Sequence, residues 1–404
     1  MCKSNLSGKK LNIVVIHEVS YIDKPVYEYQ DFAERLAARG HRVTVIDFCE
    51  SRKGSLTAQK ISRTGLGEIE LITLPNNGIP VLKYITAKVQ FPSLLKKLIN
   101  ETKIDAVLLY SVFINGTGTI AICKKAGIPV VYRAIDAYHR LRKDPFQSWL
   151  LLQCEKFIYT NAETLSATNA KMAAYVAELS PDRRKEPAHI TDHGVDTTHF
   201  RRLPFDKSLA AKLSIYPDDF VCLFLGTTYH FSRLDLLIRQ ISSIRKSIKN
   251  FKLLILGAGE LDQSIRDTAI REHVTDFVVC PGMISYEDLP SYMSLARIAI
   301  NPFAINEITK DIIPIKILQY LAAELPIVST PLPDLVCKIP HEISGTYYSA
   351  DDTMESFTQS ILDIAGSIDL EQAGQKARTY VSEHHSMESV ISELEGLLGK
   401  KWNI

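Results

Sequence analysis

The chain of 404 residues is short of cysteine and of long apolar runs, and each shortage argues against a class of protein. Its seven cysteines are scattered without a C-x-x-C pair. This argues against a disulfide framework or a zinc site and for free thiols in a reducing compartment. No apolar run is long enough to span a bilayer. The polar opening, MCKSNLSGKK, lacks the apolar core of a signal peptide, so we expect a cytoplasmic protein.

Two recognition motifs are also missing. The run Gly257-Ala-Gly259 lacks the third glycine of a dinucleotide fingerprint, which disfavours a nicotinamide-dependent dehydrogenase. No nucleic-acid-binding module is recognisable, so nucleic acid is not an expected partner. The sequence has no short-period repeat, no low-complexity segment and no cluster of metal-ligand residue types.

The length of the chain and the distribution of its charge indicate two domains. One hydrophobic core seldom exceeds about 250–300 residues, so two domains are expected. Residues 1–190 carry 27 Lys+Arg and 18 Asp+Glu, a charge of +9, and the remainder carries 20 and 28, a charge of −8. A basic first half attracts anionic partners, such as a membrane surface or a phosphorylated acceptor. Alternatively, the opposite charges only help two domains to face each other, and the sequence leaves both explanations open.

The order of apolar segments predicts an α/β fold. Short β-branched runs at 11–16, 41–47, 220–225 and 251–256 are typical of buried parallel strands. Helical patterns lie between them, and Gly40 is placed to end the first helix. The segment 81–97 interleaves apolar residues with lysines. We expect it to cover the sheet, with contact to a bilayer as the alternative.

The stretch from Asn306 to Pro331 is the most informative. Pro314 suits the start of a helix, and the apolar residues that follow recur at helical spacing before a short strand. A helix start with free N–H groups binds anions, and Lys316 adds a positive charge in its first turn. Asp311 precedes this turn and Gln319 follows it. The alternative is an ordinary buried crossover whose lysine is solvated.

This stretch resembles the C-terminal signature of GT-B glycosyltransferases of the retaining, GT4-like (group 1) kind. That family reads K-x-x-E-Y-L-A-x-G-x-P-V-V, and this chain reads KILQYLAAELPIV from Lys316. The chain departs from the pattern at Gln319, where the family has an acid, and at Glu324, near the usual glycine. The resemblance implies that Asp311 contacts the donor sugar and Gln319 the ribose hydroxyls. The neighbouring Ile312 and Ile313 would bind substrate.

Other segments carry the same resemblance. AERLAARGHRVTVI is similar to the opening of the family, and 192–200 resembles the N-G-V-D-x-x-x-F motif that closes its first domain. In the loop after residue 226 the family grips the diphosphate with Arg and Lys. There the resemblance implies His230 as a binding residue and Arg233 as the phosphate partner of Lys316. It further implies that Cys280 and Met283 lie beside the nucleobase.

The acceptor side is predicted after residue 132, at the carboxyl end of a strand, where open α/β sheets bind ligands. By the resemblance, Asp136 contacts or deprotonates the acceptor hydroxyl, with His139 as the second candidate. An Asp after a strand is otherwise a helix cap. Arg140, Arg142 and Lys143 form a basic cluster suited to an acceptor phosphate or lipid headgroup, or a solvated loop.

The expectation is therefore a GT-B protein with two Rossmann-like α/β domains facing each other across a cleft. Residues 1–200 would bind the acceptor, residues 201–385 the nucleotide sugar, and 386–404 would pack back on the first domain. The implied activity is transfer of a sugar from a UDP- or GDP-sugar to a hydroxyl, with retention, in polysaccharide or glycolipid biosynthesis of the cell envelope.

The resemblance implies no cofactor and no metal. The acceptor would be a carbohydrate, a lipid-linked molecule or a small molecule, with peripheral contact to the inner face of the membrane through the basic N-terminal domain. The alternatives are a GT-B epimerase or a sugar-nucleotide-binding partner without catalysis.

Overall fold

A computed structural model describes residues 10–18, 20–23, 28–47, 56–75, 82–142, 144–183, 186–310 and 312–399, without the side chains at 82–85 and 367. The chain divides into two compact units. One comprises Met1–Asp192 with Val390–Ile404, and the other comprises His193–Ser389. Each is built on a largely parallel sheet, which confirms the predicted two-domain α/β class.

In the described part of the first unit, eight strands form one sheet in the order β3-β4-β2-β1-β5-β6-β7-β8. They are β1 (Asn12–Ile16), β2 (Arg42–Asp47), β3 (Thr57–Ile61), β4 (Ile69–Thr73), β5 (Ala106–Leu109), β6 (Val130–Ala134), β7 (Thr164–Ala167) and β8 (His189–Ile190). Only β3, at the edge, runs antiparallel. The central strands are buried on both faces, which is why they read as continuous apolar runs.

Helices of the first unit cover its sheet. They are α1 (Glu28–Ala38), α2 (Leu82–Glu101), α3 (Gly116–Ala126), α4 (Pro145–Asn161) and α5 (Ala170–Leu179), with 3-10 turns at Tyr138–Leu141 and Pro181–Arg183. On α2 the apolar residues Ala87, Phe91 and Leu95 lie in the core, while Lys96 and Lys97 are exposed. The sheet-covering alternative for this segment is therefore the one observed.

In the described residues of the second unit, six parallel strands form a sheet in the order β11-β10-β9-β12-β13-β14. They are β9 (Phe220–Leu225), β10 (Phe251–Leu256), β11 (Val278–Gly282), β12 (Ile298–Asn301), β13 (Ile327–Ser329) and β14 (Thr346–Tyr348). This is the 3-2-1-4-5-6 order of doubly wound nucleotide-binding sheets.

The helices of the second unit are α6 (Lys207–Lys212), α7 (Leu234–Ser247), α8 (Asp262–Arg271), α9 (Leu289–Met293), α10 (Ile315–Ala322), α11 (Pro333–Lys338), α12 (Met354–Ser367) and α13 (Leu370–His384). Two 3-10 turns span His230–Ser232 and Thr275–Phe277. The predicted start of α10 after Pro314 is confirmed, and its apolar stripe of Ile317, Leu318 and Leu321 is fully buried.

The end of α10 shows how the missing glycine is replaced. Glu324 follows the helix with φ +58°, the left-handed conformation that glycine adopts without steric cost. The amide of Leu325 then donates to the carbonyl of Tyr320 at 3.0 Å. The chain thus makes the usual αL helix ending with a residue that carries a Cβ, which costs about 1–2 kcal/mol.

The last helix, α14 (Met387–Leu398), crosses the division between the units at Val390. Glu395 on it pairs with Arg39, and its Oε1 lies 2.7 Å from His41 Nε2. These residues follow α1, so the end of the chain is part of the first unit. Among the described residues, none of the helices is long and apolar enough to cross a membrane.

Candidate functional site

The switch point of the second sheet lies between β9 and β12. The chain leaves these neighbouring strands in opposite directions, which opens a crevice at their carboxyl ends where such folds bind ligands. Gly226 follows β9, and Pro302 and Phe303 follow β12. The loop before α10 comes from the same strand end.

Glycines bring the loops of this edge into close contact. Gly257 has φ +136°, and a Cβ there would stand 2.1 Å from the carbonyl oxygen of Gly226. The amide of Gly257 donates to Gly282 at 2.9 Å, and that of Gly226 donates to Leu256 at 2.9 Å. Backbone hydrogen bonds therefore connect the carboxyl ends of β9, β10 and β11. Because glycines occupy these positions, few side chains obstruct the crevice.

Polar side chains fix the loop that follows Gly226. Thr228 Oγ1 donates to Asp262 Oδ1 at 2.6 Å, and the Gly259 amide donates to the same oxygen at 3.0 Å. This ties the loop after β9 to the loop after β10. His230, a predicted binding residue, lies on the adjacent turn, is exposed, and has Nε2 3.2 Å from Glu260.

Arg233, predicted to bind phosphate, makes hydrogen bonds and an ion pair within the second unit. Its guanidinium donates to the carbonyls of Pro302 at 2.8 Å, Phe303 at 3.2 Å and Asp352, and pairs with the Asp352 carboxylate at 2.8 Å. Burial lowers its pKa, although Asp352 opposes this. Arg233 therefore tethers the loop after β12, and most of its donors are committed. Its phosphate role stays a prediction.

Lys316 occupies an unusual place. Its Nζ lies over the rings of Phe224 and Phe303, 3.8 and 3.9 Å from their centroids. The residue is only 8% exposed. Burial lowers its pKa well below the ordinary value, although the two ring faces favour the charged form. Among the described residues no carboxylate pairs with it, so the switch point holds a lysine that lacks a counter-anion.

The remaining predicted donor residues lie around α10. Gln319 is half-buried one helical turn beyond Lys316, and no described residue makes a side-chain hydrogen bond to it. Ile312 and Ile313 pack partly against the core. Asp311 lies outside the described residues. The structure therefore brings Gln319 and Lys316 together on one helix.

Two predicted nucleobase neighbours lie on the edge strand β11. Met283 is 74% exposed at the carboxyl edge. It follows Gly282, whose carbonyl accepts a hydrogen bond from the Gly257 amide. Cys280 lies within the strand and is exposed at the surface, while partial desolvation of its thiol raises the pKa to about 11, with Asp262 adding to the shift. Of the two, Met283 is the one at the end of the sheet where the loops gather.

The first sheet has its own switch point between β1 and β5. Glu18, after β1, accepts hydrogen bonds from Ser111 Oγ and from the Ile114 amide, both at 2.6 Å. Burial raises the pKa of Glu18, and these hydrogen bonds limit the rise. Nearby, Arg133 is fully buried and pairs with both oxygens of Glu28, at 2.8 and 2.9 Å. A hydrogen-bonded carboxyl group, Glu18, and a salt bridge between Arg133 and Glu28 are thus held rigidly at this edge.

Next to this edge, His139 belongs to a hydrogen-bonded cluster. Its Nδ1 lies 2.8 Å from both Glu155 Oε2 and Tyr175 Oη, and Tyr175 donates to the same carboxylate oxygen at 2.6 Å. Since a carboxylate only accepts, Nδ1 carries the proton. In the neutral ring Nε2 then remains as an acceptor, and no described residue is hydrogen-bonded to it. Asp136, the first predicted candidate, is exposed three residues earlier.

Glu155 and Tyr175 were not predicted as site residues. Each lies in a helix, where a single Glu or Tyr resembles an ordinary surface or core residue, so no local signal points to the cluster.

The predicted basic cluster of Arg140, Arg142 and Lys143 lies partly within the described residues. Arg140 lies with its guanidinium 4.9 Å from the ring centre of Tyr175, Arg142 is exposed, and Lys143 lies outside the described residues.

A cavity of about 490 Å³ lies elsewhere in the second unit, lined in part by Arg201, Arg297 and Glu324. Arg297 and Glu324 precede strands, so this cavity is at the amino end of the sheet. Parallel sheets of this order bind ligands at the other end, and we do not assign it. In the described parts of the chain, no group of three or more His, Cys, Asp or Glu is placed to hold a metal.

Two family models match the sequence. "Glycosyltransferase Family 4" matches residues 29–199, and "Glycosyl transferases group 1" matches residues 219–367. Together they cover most of both units. The chain belongs to the group 1 glycosyltransferases, and the resemblance inferred from the motifs is confirmed.

Solved structures share the fold of the chain. Sucrose-phosphate synthase from Thermosynechococcus elongatus matches with a TM-score of 0.71 and 15% identity over 96% of this chain and 98% of that one. Anabaena HepE in complex with UDP matches with 0.68 and 12% over 96% and 99%. A trehalose-6-phosphate structure from E. coli, bound with UDP-2-fluoro glucose, matches with 0.63 and 10% over 97% and 99%. The GT-B fold is thereby confirmed. A search of curated proteins by sequence returns no match.

Proposed function

We propose that this protein transfers a sugar from a UDP-sugar to an acceptor hydroxyl. The observation that carries the proposal is Lys316, a nearly buried lysine without a counter-anion among the described residues, at the switch point of a nucleotide-binding type of sheet. A buried charge without a partner is costly. A nucleoside diphosphate bound in front of α10 would supply the missing negative charge.

The donor binds at the carboxyl edge of the second unit. The amides of Ile315 and Lys316 at the start of α10 and the Lys316 ammonium stabilise the diphosphate, including the charge that develops as it leaves. Gln319 hydrogen-bonds the ribose and Asp311 the sugar. UDP is preferred to GDP because HepE has been crystallised with UDP and with UDP-glucose. No metal takes part.

The acceptor binds the first unit beside His139. Nε2 of the imidazole accepts the hydrogen bond of the attacking hydroxyl, while Glu155 and Tyr175 hold the ring in position. The motif resemblance favours retention of configuration. The charge of +9 on residues 1–190 favours an anionic acceptor, such as a phosphorylated or lipid-linked sugar in polysaccharide or glycolipid biosynthesis at the inner face of the membrane.

The experiment is a panel of UDP-, GDP-, ADP- and dTDP-sugars measured by thermal shift, followed by calorimetry on the best ligand. Variants Gln319→Glu and Gln319→Leu test the donor site. We expect Glu, the family's residue, to tighten UDP binding about fivefold and Leu to weaken it by a similar factor. Gln359→Leu, on the exposed side of α12, is the matched control and should leave binding unchanged.

Several outcomes would remove the proposal. If no nucleotide sugar stabilises the protein, there is no donor site. Binding without UDP release in the presence of any acceptor extract would support a partner that only binds. Conversion of a UDP-sugar without an acceptor would support an epimerase.

A further inference from the structure

Helix α4 is apolar on two opposite sides. Its inner side buries Leu151, Cys154 and Ile158 in the core of the first unit. Its outer side carries Phe146, Trp149 and Phe157, which are 68%, 55% and 41% exposed. The spacing of three and eight residues places these rings on one stripe of the helix.

Leu141 extends the stripe beyond the start of α4. It lies on the preceding 3-10 turn, is 64% exposed, and is held near α4 because Ser148 Oγ donates to the His139 carbonyl at 2.9 Å. Phe146 and Trp149 stack with their ring centres 6.1 Å apart. We call Leu141, Phe146, Trp149 and Phe157 the α4 face. Single exposed apolar residues are common, but a stacked pair of exposed rings with a leucine and a third ring on the same side of the helix indicates an interaction site.

The surroundings of the α4 face carry more basic than acidic residues, and among them the exposed carboxylate of Asp144 caps the start of α4. Helices α2, α3 and α4 contain seven lysines and two carboxylates. One of the two, Glu155, is buried, and the other is Glu101 at the far end of α2. Lys156 is exposed on α4 itself, and Lys124 on α3 donates to Asn161 at the end of α4 at 3.1 Å. Arg140 and Arg142 flank the other end.

We propose that the α4 face lies in the headgroup region of a bilayer that contains anionic lipid. Aromatic rings and leucine surrounded by lysine and arginine are the composition that binds at this depth, because the rings enter the interface while the cations meet the lipid phosphates. This inference is independent of the donor site, since lipid binding is measured without nucleotide.

The charge of the α4 face favours a bilayer over a second copy of the chain as its partner. Two copies that met through this face would bring their lysines together, which opposes association. An acidic protein would match the charge of this face. The exposed pair of Trp149 and Phe146 is better matched by a bilayer, because tryptophan and tyrosine concentrate at membrane surfaces. The membrane surface is therefore the occupant that both features favour.

The test uses Trp149 as its own reporter. The only other tryptophan is Trp402, outside the described residues, and Trp402→Phe leaves Trp149 as the single tryptophan. The full chain is mixed with vesicles of phosphatidylcholine alone or with added phosphatidylglycerol. We expect flotation with the anionic vesicles only, a blue shift of the Trp149 emission, and release by salt.

Variants then separate the apolar and charged parts of the face. The pair Phe146→Ser and Phe157→Ser should lower the partition coefficient about tenfold or more. Lys125→Gln and Lys156→Gln should each lower it about fivefold. Ile270→Ser, which changes a residue 62% exposed on α8 of the second unit, is the control and should float like the parent.

The proposal is overturned if the parent protein floats with neither vesicle, or if the Phe variants float as well as the parent. It is also overturned if sedimentation shows a dimer that the same Phe variants dissociate. Unchanged thermal unfolding of every variant is required, and we expect it because all the substituted side chains are exposed. The charge variants provide a second test if the Phe pair fails to fold.

Discussion

Lys316→Met is the substitution that tests the donor site most directly. Methionine keeps the length of the side chain and can occupy the space between Phe224 and Phe303 without the amine. In the unliganded protein, burial of an amine without a counter-anion is unfavourable, and replacement of buried charge by apolar atoms is often stabilising. We therefore expect the free energy of unfolding to stay the same or rise by about 1 kcal/mol.

Nucleotide binding should change in the opposite direction. A hydrogen bond to a charged group contributes about 1.5–3 kcal/mol, so loss of the ammonium should weaken UDP binding by about 10-fold to 150-fold. A variant that is more stable and binds less is the pattern expected where a strained charge serves function. Urea unfolding measures the first quantity and calorimetry the second.

The pH dependence of the free energy of unfolding provides an independent test. The pKa of Lys316 is lowered by burial from the ordinary value of 10.5. Between the folded pKa and 10.5, the unfolded chain binds a proton that the folded chain does not, so stability rises with pH in that window. The free energy of unfolding of the parent minus that of Lys316→Met should therefore increase from neutral pH to about pH 9.5. In that window UDP binding should take up more protons in the parent than in Lys316→Met.

Lys252 is the matched control. It is also 8% exposed in the second unit, but its ammonium pairs with Asp219 at 3.4 Å and donates to the Ser214 carbonyl. Lys252→Met leaves the buried Asp219 carboxylate with the Tyr216 amide, at 2.8 Å, but without a cation, and should destabilise by about 3 kcal/mol while UDP affinity stays unchanged. If Lys316→Met instead destabilised the protein and left UDP binding intact, the assignment of Lys316 to the donor would be refuted.

Two further predictions follow from single contacts. Glu324→Gly relieves the left-handed backbone after α10 and should raise the free energy of unfolding by about 0.5–1 kcal/mol; a lower melting temperature would contradict it. Glu155→Gln removes the charged acceptor of His139 and should lower kcat for UDP release about tenfold with little change in donor KM, whereas Glu178→Gln, exposed on α5, should not. Equal losses in both variants would argue against a positioning role.

Much of the fold could be predicted because its signals are local. Buried parallel strands read as β-branched runs, and α10 begins after Pro314 as its sequence indicates. The helix ending was harder, because Glu324 occupies the position of a glycine. A sequence shows that the glycine is missing, but not that the backbone keeps the same conformation without it.

The residues of the candidate sites were less predictable. Arg233 has the charge and spacing of a phosphate ligand, yet Asp352, more than a hundred residues away, binds its guanidinium. His139 was predicted as a second candidate, whereas its partner Glu155 lies in a helix on the far side of a loop. Such pairings depend on long-range contacts that a linear pattern does not contain.

By itself, the sequence determined the family, the two α/β units and the helix that follows Pro314, since motif and periodicity are properties of neighbouring residues. Tertiary structure alone decided that Lys316 lies between two rings with no carboxylate of the described residues beside it, and that α4 exposes aromatic rings on its outer side. The physical reason is that burial and charge pairing depend on which distant segments pack together, and these determine whether a charged or aromatic side chain remains available to a ligand.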